Sequence, residues 1–167
     1  NVFFYKNRDA QEVRKRIELS EDQEFIRQEL KRLNLVSFAG DGSILPRETG
    51  ISDRPMKGSV PFKSPESLKI ILNLPYHGPL SGMAIARGIT LIVGGGYHGK
   101  STLLKALESG VYNHIAGDGR EYVITDDTAI KLRAEDGRSI NNVDISLFIR
   151  DLPNKKDTTR FSTADAS

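Results

Sequence analysis

The stretch Gly94 to Thr102, GGGYHGKST, constrains this chain more than any other, because it matches the pattern G-x-x-x-x-G-K-[S/T]. A loop that wraps a phosphate closely must turn successive backbone N–H groups inward, which calls for positive φ and no Cβ in the way. Gly94, Gly95, Gly96 and Gly99 meet both demands. Tyr97 and His98 complete the loop through their backbone, and a helix starting near Lys100 would add its positive dipole end. In that arrangement Lys100 reaches the β- and γ-phosphates as the catalytic cation, Ser101 ligates Mg²⁺, and Thr102 meets the α-phosphate. The residues therefore point to a nucleoside triphosphate, with ATP and Mg²⁺ as the expected cofactors.

The same glycines satisfy a rival pattern. Gly94, Gly96 and Gly99 fit the dinucleotide fingerprint G-x-G-x-x-G, and Asp118 lies at a suitable distance for a ribose carboxylate. Two features weigh against it: that fingerprint does not need Lys-Ser after its last glycine, and Asp118 sits in a Gly-Asp-Gly turn rather than at a strand end. His98 uses its backbone in the loop, so its side chain is read as non-catalytic. Tyr122 to Asp126 (YVITD) imitates the strand and carboxylate of a Walker B motif, but it lies so near the preceding helix that a hairpin is the better reading. Phe62 and Tyr76 precede the loop at distances suited to stacking on a base, although plain packing explains either.

Around the loop the pattern is α/β. Asp9 with Glu12, and Ser20 with Gln23, have capping-box spacing, so two short helices are expected at the start. Ile26, Leu30 and Leu33 form one apolar stripe on the second. Val36 and Phe38 alternate as a strand before Gly40-Asp41-Gly42, the turn chemistry of a hairpin. Residues 50–66 are rich in Gly and Pro and read as loop; Ser67 to Leu74 reads as a strand, with a breaker region at Pro75, Gly78 and Pro79. Ile89 to Val93 reads as the buried strand that delivers the phosphate loop. A helix follows from Lys100 to Glu108, with Leu103, Leu104 and Leu107 on one side and Gly110 as its stop. Beyond it, Tyr122 and Ile124, Ile130 and Leu132, and Val143, Ile145, Leu147 and Ile149 alternate between Asp-Gly and Asp-Asp turns, so an antiparallel meander is expected. The tail from Asp151 to Ser167 reads as loop.

Composition narrows the function classes. Twenty-four basic against 22 acidic side chains leave a formal charge of +2, too little to demand nucleic acid or an anionic membrane. With no cysteine there are no disulfides, thiolate metal sites or cysteine nucleophiles. His77, His98 and His114 have no metal-ligand spacing. No apolar run approaches the roughly 20 residues that span a bilayer. The expectation is an intracellular, cytoplasmic protein without membrane insertion, and its start on Asn1 reads as a piece of something longer.

Taken together, Ser43 to Glu48 (SILPRE), Ser52-Asp53-Arg54-Pro55, VGGGYHGKSTLLKALE, GDGREYVIT, RAEDGR and FSTADAS resemble the predicted ATPases of the ABC class, from about residue 36 onward. The resemblance implies an α/β P-loop NTPase core, ABC-ATPase-like, with an antiparallel β sub-sheet that is incomplete in this chain. It implies two parts, an N-terminal helical segment over 1–35 and the N-terminal part of an ABC-class ATPase domain over 36–167. It further implies ATP binding, Mg-dependent hydrolysis in the complete protein, and a nucleotide-dependent homodimer. The Walker B and signature segments of that class are expected after Ser167. The glutamines Gln11, Gln23 and Gln28 all precede the loop, so none can act as a Q-loop residue. A second reading is an RNA-associated nucleotide switch with little hydrolysis of its own, resting on the helical start, Lys155-Lys156 and the mild positive charge.

Overall fold

One continuous helix, α1 (Ala10–Arg32), stands where two short ones were expected. The computed structural model describes residues 9–95, 98–132, 137, 139–150, 152 and 157–164. Asp9 does cap α1, its Oδ1 accepting from the Gln11 N–H at 2.8 Å. Ser20 and Gln23 cap nothing: Gln23 is buried, and its amide both donates to and accepts from the backbone of His114. No Gly or Pro lies between Ala10 and Arg32, so nothing interrupts the helical hydrogen-bond ladder. Arg14–Glu18 and Arg16–Glu12 pair along the solvent side, while Asp22, Gln23, Ile26, Arg27 and Leu30 are buried at helical spacing. Leu33 leaves the stripe as the C-cap residue and is exposed.

Four strands, β1 (Leu35–Gly40), β2 (Lys69–Leu74), β3 (Gly78–Ala86) and β4 (Val123–Thr125), form an antiparallel sheet in the order β2-β3-β1-β4. The segment expected to break after Leu74 instead turns at 75–77 and returns as β3. Pro79 is tolerated there because β1 pairs β3 only from Gly82 to Ala86, leaving Pro79 with a neighbour on one side. Gly40-Asp41-Gly42 does turn the chain but closes no hairpin, since the partners of β1 are β3 and β4. The Asp41 carboxylate ties that turn down, accepting from Ser64 N at 2.5 Å and from Ser81 Oγ at 2.7 Å.

The helix α2 (Lys100–Ser109) covers the face of the sheet that α1 leaves free. Alternation along the strands sorts the two faces. Phe38, Leu72, Leu74, Leu80 and Ile124 meet Ile26 and Leu30 of α1, whereas Ala39, Met83 and Val123 meet Ala106 of α2. Leu103 and Leu107 join the second cluster, but Leu104 points to solvent. Gly110 ends α2 as expected, and a Cβ there would lie 2.8 Å from the Val123 carbonyl oxygen, so only glycine lets the helix end seat on β4.

Three expectations fail beyond this core. Ile89 to Val93 is not a strand: Ile89 is 104% and Leu91 81% exposed, and no strand among the described residues pairs with the segment. An apolar run becomes a buried strand only where neighbours satisfy its backbone. The meander is not formed either. Its first piece joins the main sheet as β4, Ile130 and Leu132 are exposed coil, and residues 145–148 turn. A separate antiparallel pair, β5 (Ile140–Val143) with β6 (Phe161–Thr163), places a strand inside the tail expected to be loop. The chain forms two compact units, Asn1–Ile130 and Lys131–Ser167, and the β5–β6 pair belongs to the second. Asp136 and Lys155-Lys156, invoked for a turn and for RNA, lie outside the described residues.

Candidate nucleotide site

The glycine loop leads into the N-terminus of α2. Gly99 is the N-cap at φ 79°, a left-handed conformation that sets the following residues on helical geometry. The first helical bond from this turn runs from Leu103 N to Gly99 O at 2.9 Å. Helix geometry thus leaves the N–H groups of Lys100, Ser101 and Thr102 unused by the helix and aligned with the positive end of its dipole. Lys100 Nζ folds back over the loop and donates to Gly94 O at 2.7 Å and Gly95 O at 2.5 Å. The ammonium is therefore held over the glycines, where phosphate oxygens would exchange with those carbonyls. His98 lies against Gly95: a Cβ at Gly95 would sit 3.1 Å from the imidazole Cε1. Ser101 is exposed at the helix start. Gly96 and Tyr97 lie outside the described residues.

A cavity of about 570 Å³ opens beside the loop. Loop and helix residues His98, Gly99, Lys100, Thr102 and Leu103 form one side of it, and Leu45, Pro46, Val60, Phe62, Ile92 and Val93 the other. Among the described residues no carboxylate lines it, and no cluster of three or more His, Asp or Glu could hold a metal. The loop fits Mg²⁺ in a limited sense: Ser101 offers one hard oxygen, enough for an ion that keeps most of its waters and takes other ligands from phosphate.

The structure separates the remaining candidates. Phe62 lines this cavity, whereas Tyr76 stands against Arg14, Ile17 and Glu21 of α1. Asp118 is engaged elsewhere, its carboxylate bridging Arg47 and His114 in a nearly buried cluster. Asp126 is buried and hydrogen-bonded at both carboxylate oxygens. Its Oδ1 accepts from Thr128 N and Oγ1 at 2.9 and 2.6 Å, and its Oδ2 from Arg87 Nη2 at 2.8 Å. Hydrogen bonds from Thr128 and the Arg87 charge outweigh burial and hold this carboxyl below its ordinary range. A group so occupied caps a turn and braces β4; it is not poised to carry a metal.

Leu45, Pro46 and Val60 went unremarked as site residues in the sequence. Long-range bonds fix the segments that carry Leu45 and Phe62: Arg120 donates to Leu45 O from Nε at 3.0 Å and also from Nη2, and Phe62 N donates to Ser43 O at 2.8 Å. No local periodicity announces such contacts. A second cavity, of about 680 Å³, lies at the far end of α2 and is lined by Arg47, Arg54, Tyr112, His114 and Asp118 among others.

Comparison with known proteins bears on the family of the chain. An uncharacterized protein of Methanocaldococcus jannaschii, MJ1628, is 34% identical over 140 residues, a match covering 79% of this chain and 31% of that protein. The chain thus spans about a third of the length of this relative. No described helix is long and apolar enough to cross a membrane. The model of the ABC_ATPase P-loop domain matches residues 9–167, and the chain belongs to that family.

Proposed function

We propose that this chain binds Mg-ATP through residues 94–102 and that the longer protein hydrolyses it. The observation that carries the reading is the Lys100 ammonium, held by the carbonyls of Gly94 and Gly95 above a glycine loop that runs into the N-terminus of α2. Backbone N–H groups of the loop and helix start would hold the phosphate oxygens. Lys100 would neutralise charge on the β- and γ-phosphates, and Ser101 would give Mg²⁺ its protein ligand. Because phosphoryl transfer is mostly positioning and charge stabilisation, turnover also needs a group that orients water. Among the described residues no carboxylate lines the cavity beside the loop, and we assign that group to the rest of the longer protein.

Removal of Lys100 tests the reading. Lys100→Ala takes away a charge-assisted contact worth roughly 1.5–3 kcal/mol, so Mg-ATP affinity by calorimetry should fall about 10- to 150-fold. The half-exposed site should leave the fold intact. Equal affinities for variant and parent at matched salt, or tight NAD binding without ATP binding, would remove the assignment.

A further inference from the structure

We infer that the cavity at the far end of α2 binds a small organic anion, a phosphate or carboxylate carried on an apolar or aromatic body, with Arg120 as its buried cation. This is independent of the phosphate-loop reading: the cavity starts at Ser109, where α2 ends, and shares no lining residue with the cavity beside the loop. Its volume, about 680 Å³, lies within the range of small-molecule pockets. Among the described residues three guanidiniums line it, those of Arg47, Arg54 and Arg120, against two carboxylates, those of Asp53 and Asp118. Arg47 and Asp118 neutralise each other, which leaves two cations facing the exposed Asp53.

Arg120 is the group that calls for an anion. It is only 6% exposed, and among the described residues it pairs with no carboxylate. Nε and Nη2 donate to the Leu45 carbonyl and Nη1 to Ser109 Oγ at 3.3 Å, so three of its five N–H donors are used. Burial and then the Arg47 charge push this guanidinium below its ordinary value, and Asp118 and Asp53 only partly offset them. A buried charge is costly until a counter-charge joins it. His114 supplies a second unmatched group: its Nδ1 faces Asp118, while Nε2 is buried and has no hydrogen-bond partner among the described residues. A buried polar atom left unpaired in a cavity wall calls for a polar atom from outside the chain. The walls are set before a ligand arrives. Gln23 Nε2 donates to His114 O at 2.9 Å, Arg27 Nη1 to Asn113 Oδ1 at 2.9 Å, and Arg47 Nη1 to Asp118 O at 2.6 Å. The remaining wall is apolar, with Pro55, Tyr112, Ile115 and Ala116, and Tyr112 and Ile115 are 76% and 80% exposed. A bare ion makes no use of such a rim, whereas the body of an organic molecule does.

Amide NMR titrations of the chain carrying Lys100→Ala, which weakens the loop as a competing anion site, test the proposal. The probes are phenyl phosphate, benzoate, inorganic phosphate and the neutral benzyl alcohol. Phenyl phosphate or benzoate should shift the amides of residues 112–118 and saturate, and the tighter of the two tells which oxyanion the site takes. Inorganic phosphate, without a ring for Tyr112, should bind about 2- to 12-fold more weakly than phenyl phosphate. Benzyl alcohol should leave these amides unmoved. Arg120→Gln keeps an N–H donor but removes the charge, and should weaken the better anion about 10- to 150-fold. Arg54→Gln, at an exposed position that leaves the fold alone, should weaken it roughly two- to fivefold. Shifts at residues 112–118 that never saturate, benzyl alcohol binding as well as the anions, or an affinity unchanged in Arg54→Gln and Arg120→Gln each overturn the site. If Arg120→Gln does not fold, the Arg54→Gln result decides alone. A single-stranded oligonucleotide that moves the same amides at far lower concentration, with a steep salt dependence, overturns the small-molecule site in favour of a nucleic-acid surface. Failure of the parent chain to bind Mg-ATP removes the loop assignment and leaves this site standing.

Discussion

Asp118 shows how strongly one side chain can be committed to structure rather than chemistry. Its carboxylate takes a guanidinium N–H from Arg47 and faces Nδ1 of His114, with the Arg47 and Asp118 side chains only 13% and 11% exposed. Burial alone would push its pKa up; the hydrogen bond from His114 and the charges of His114 and Arg47 outweigh that and leave it below the ordinary 3.8. A depressed carboxylate stabilises the fold at neutral pH, and that contribution disappears as pH falls from the ordinary carboxylate range through the lower folded value. Asp118→Asn should therefore cost about 2 kcal/mol at pH 7, the scale of a charged hydrogen bond inside a nearly buried pair. In denaturant titrations the gap between parent and variant should close progressively below about pH 4. A gap that stays constant into strong acid would show that the charge of Asp118 is not what it contributes.

At the scale of elements, α1 acts as a clamp. Three of its buried polar side chains grip loops from other parts of the chain. Asp22 accepts from Tyr76 N and His77 N at 2.9 Å each, fixing the β2–β3 turn. Gln23 pairs with the backbone of His114, and Arg27 donates to Asn113 Oδ1 at 2.9 Å and to Val111 O at 3.3 Å. These groups hold the loop that follows α2, which explains buried charge on a helix that otherwise reads as a solvated face. Arg14, Arg16 and Arg32 pair with Glu18, Glu12 and Glu29 on the same helix, which lends no support to an RNA-gripping surface. Asp22→Ala leaves two backbone donors at the turn without their carboxylate and should cost about 2–4 kcal/mol. That loss should register as a lower Tm, with hydrogen exchange accelerated first at Tyr76 and His77. Unchanged protection at those amides would refute the clamp. What the sequence made legible was local: the Asp9 cap, α2 with its Gly110 stop, and the strands β1 and β2. The rest was settled at long range. Gln23 has the spacing of a cap residue, but a loop 91 residues away holds its amide. Gly78 and Pro79 look like breakers, but they begin a strand because β2 lies beside them.

For the molecule as a whole, the loop proposed to cradle phosphate around residue 94 follows a coil segment that pairs with no strand among the described residues. Ile89, Leu91 and Val93 are exposed, yet they form the apolar run that reads as a buried strand leading into the loop. Exposed apolar segments of this kind mark a surface that other structure covers, and the relative MJ1628 is about three times as long as its matched part. We propose that strands from the longer protein flank this segment and bring the water-orienting group with them. The consequence for this chain alone is specific. Amides of residues 89–93 should exchange rapidly, while those of β1, paired on both sides, exchange slowly. Mg-ATP should bind, since Lys100 and the helix start are in place, but steady-state phosphate release should stay at the uncatalysed level. Phosphate release well above that level, and abolished by Lys100→Ala, would mean that this chain already holds its catalytic carboxylate. Asp126 would be the first to test, although its oxygens would have to give up Thr128 and Arg87 to serve. Slow exchange at residues 89–93 would mean that the segment already has partners, and that the loop strand needs nothing further to cover it.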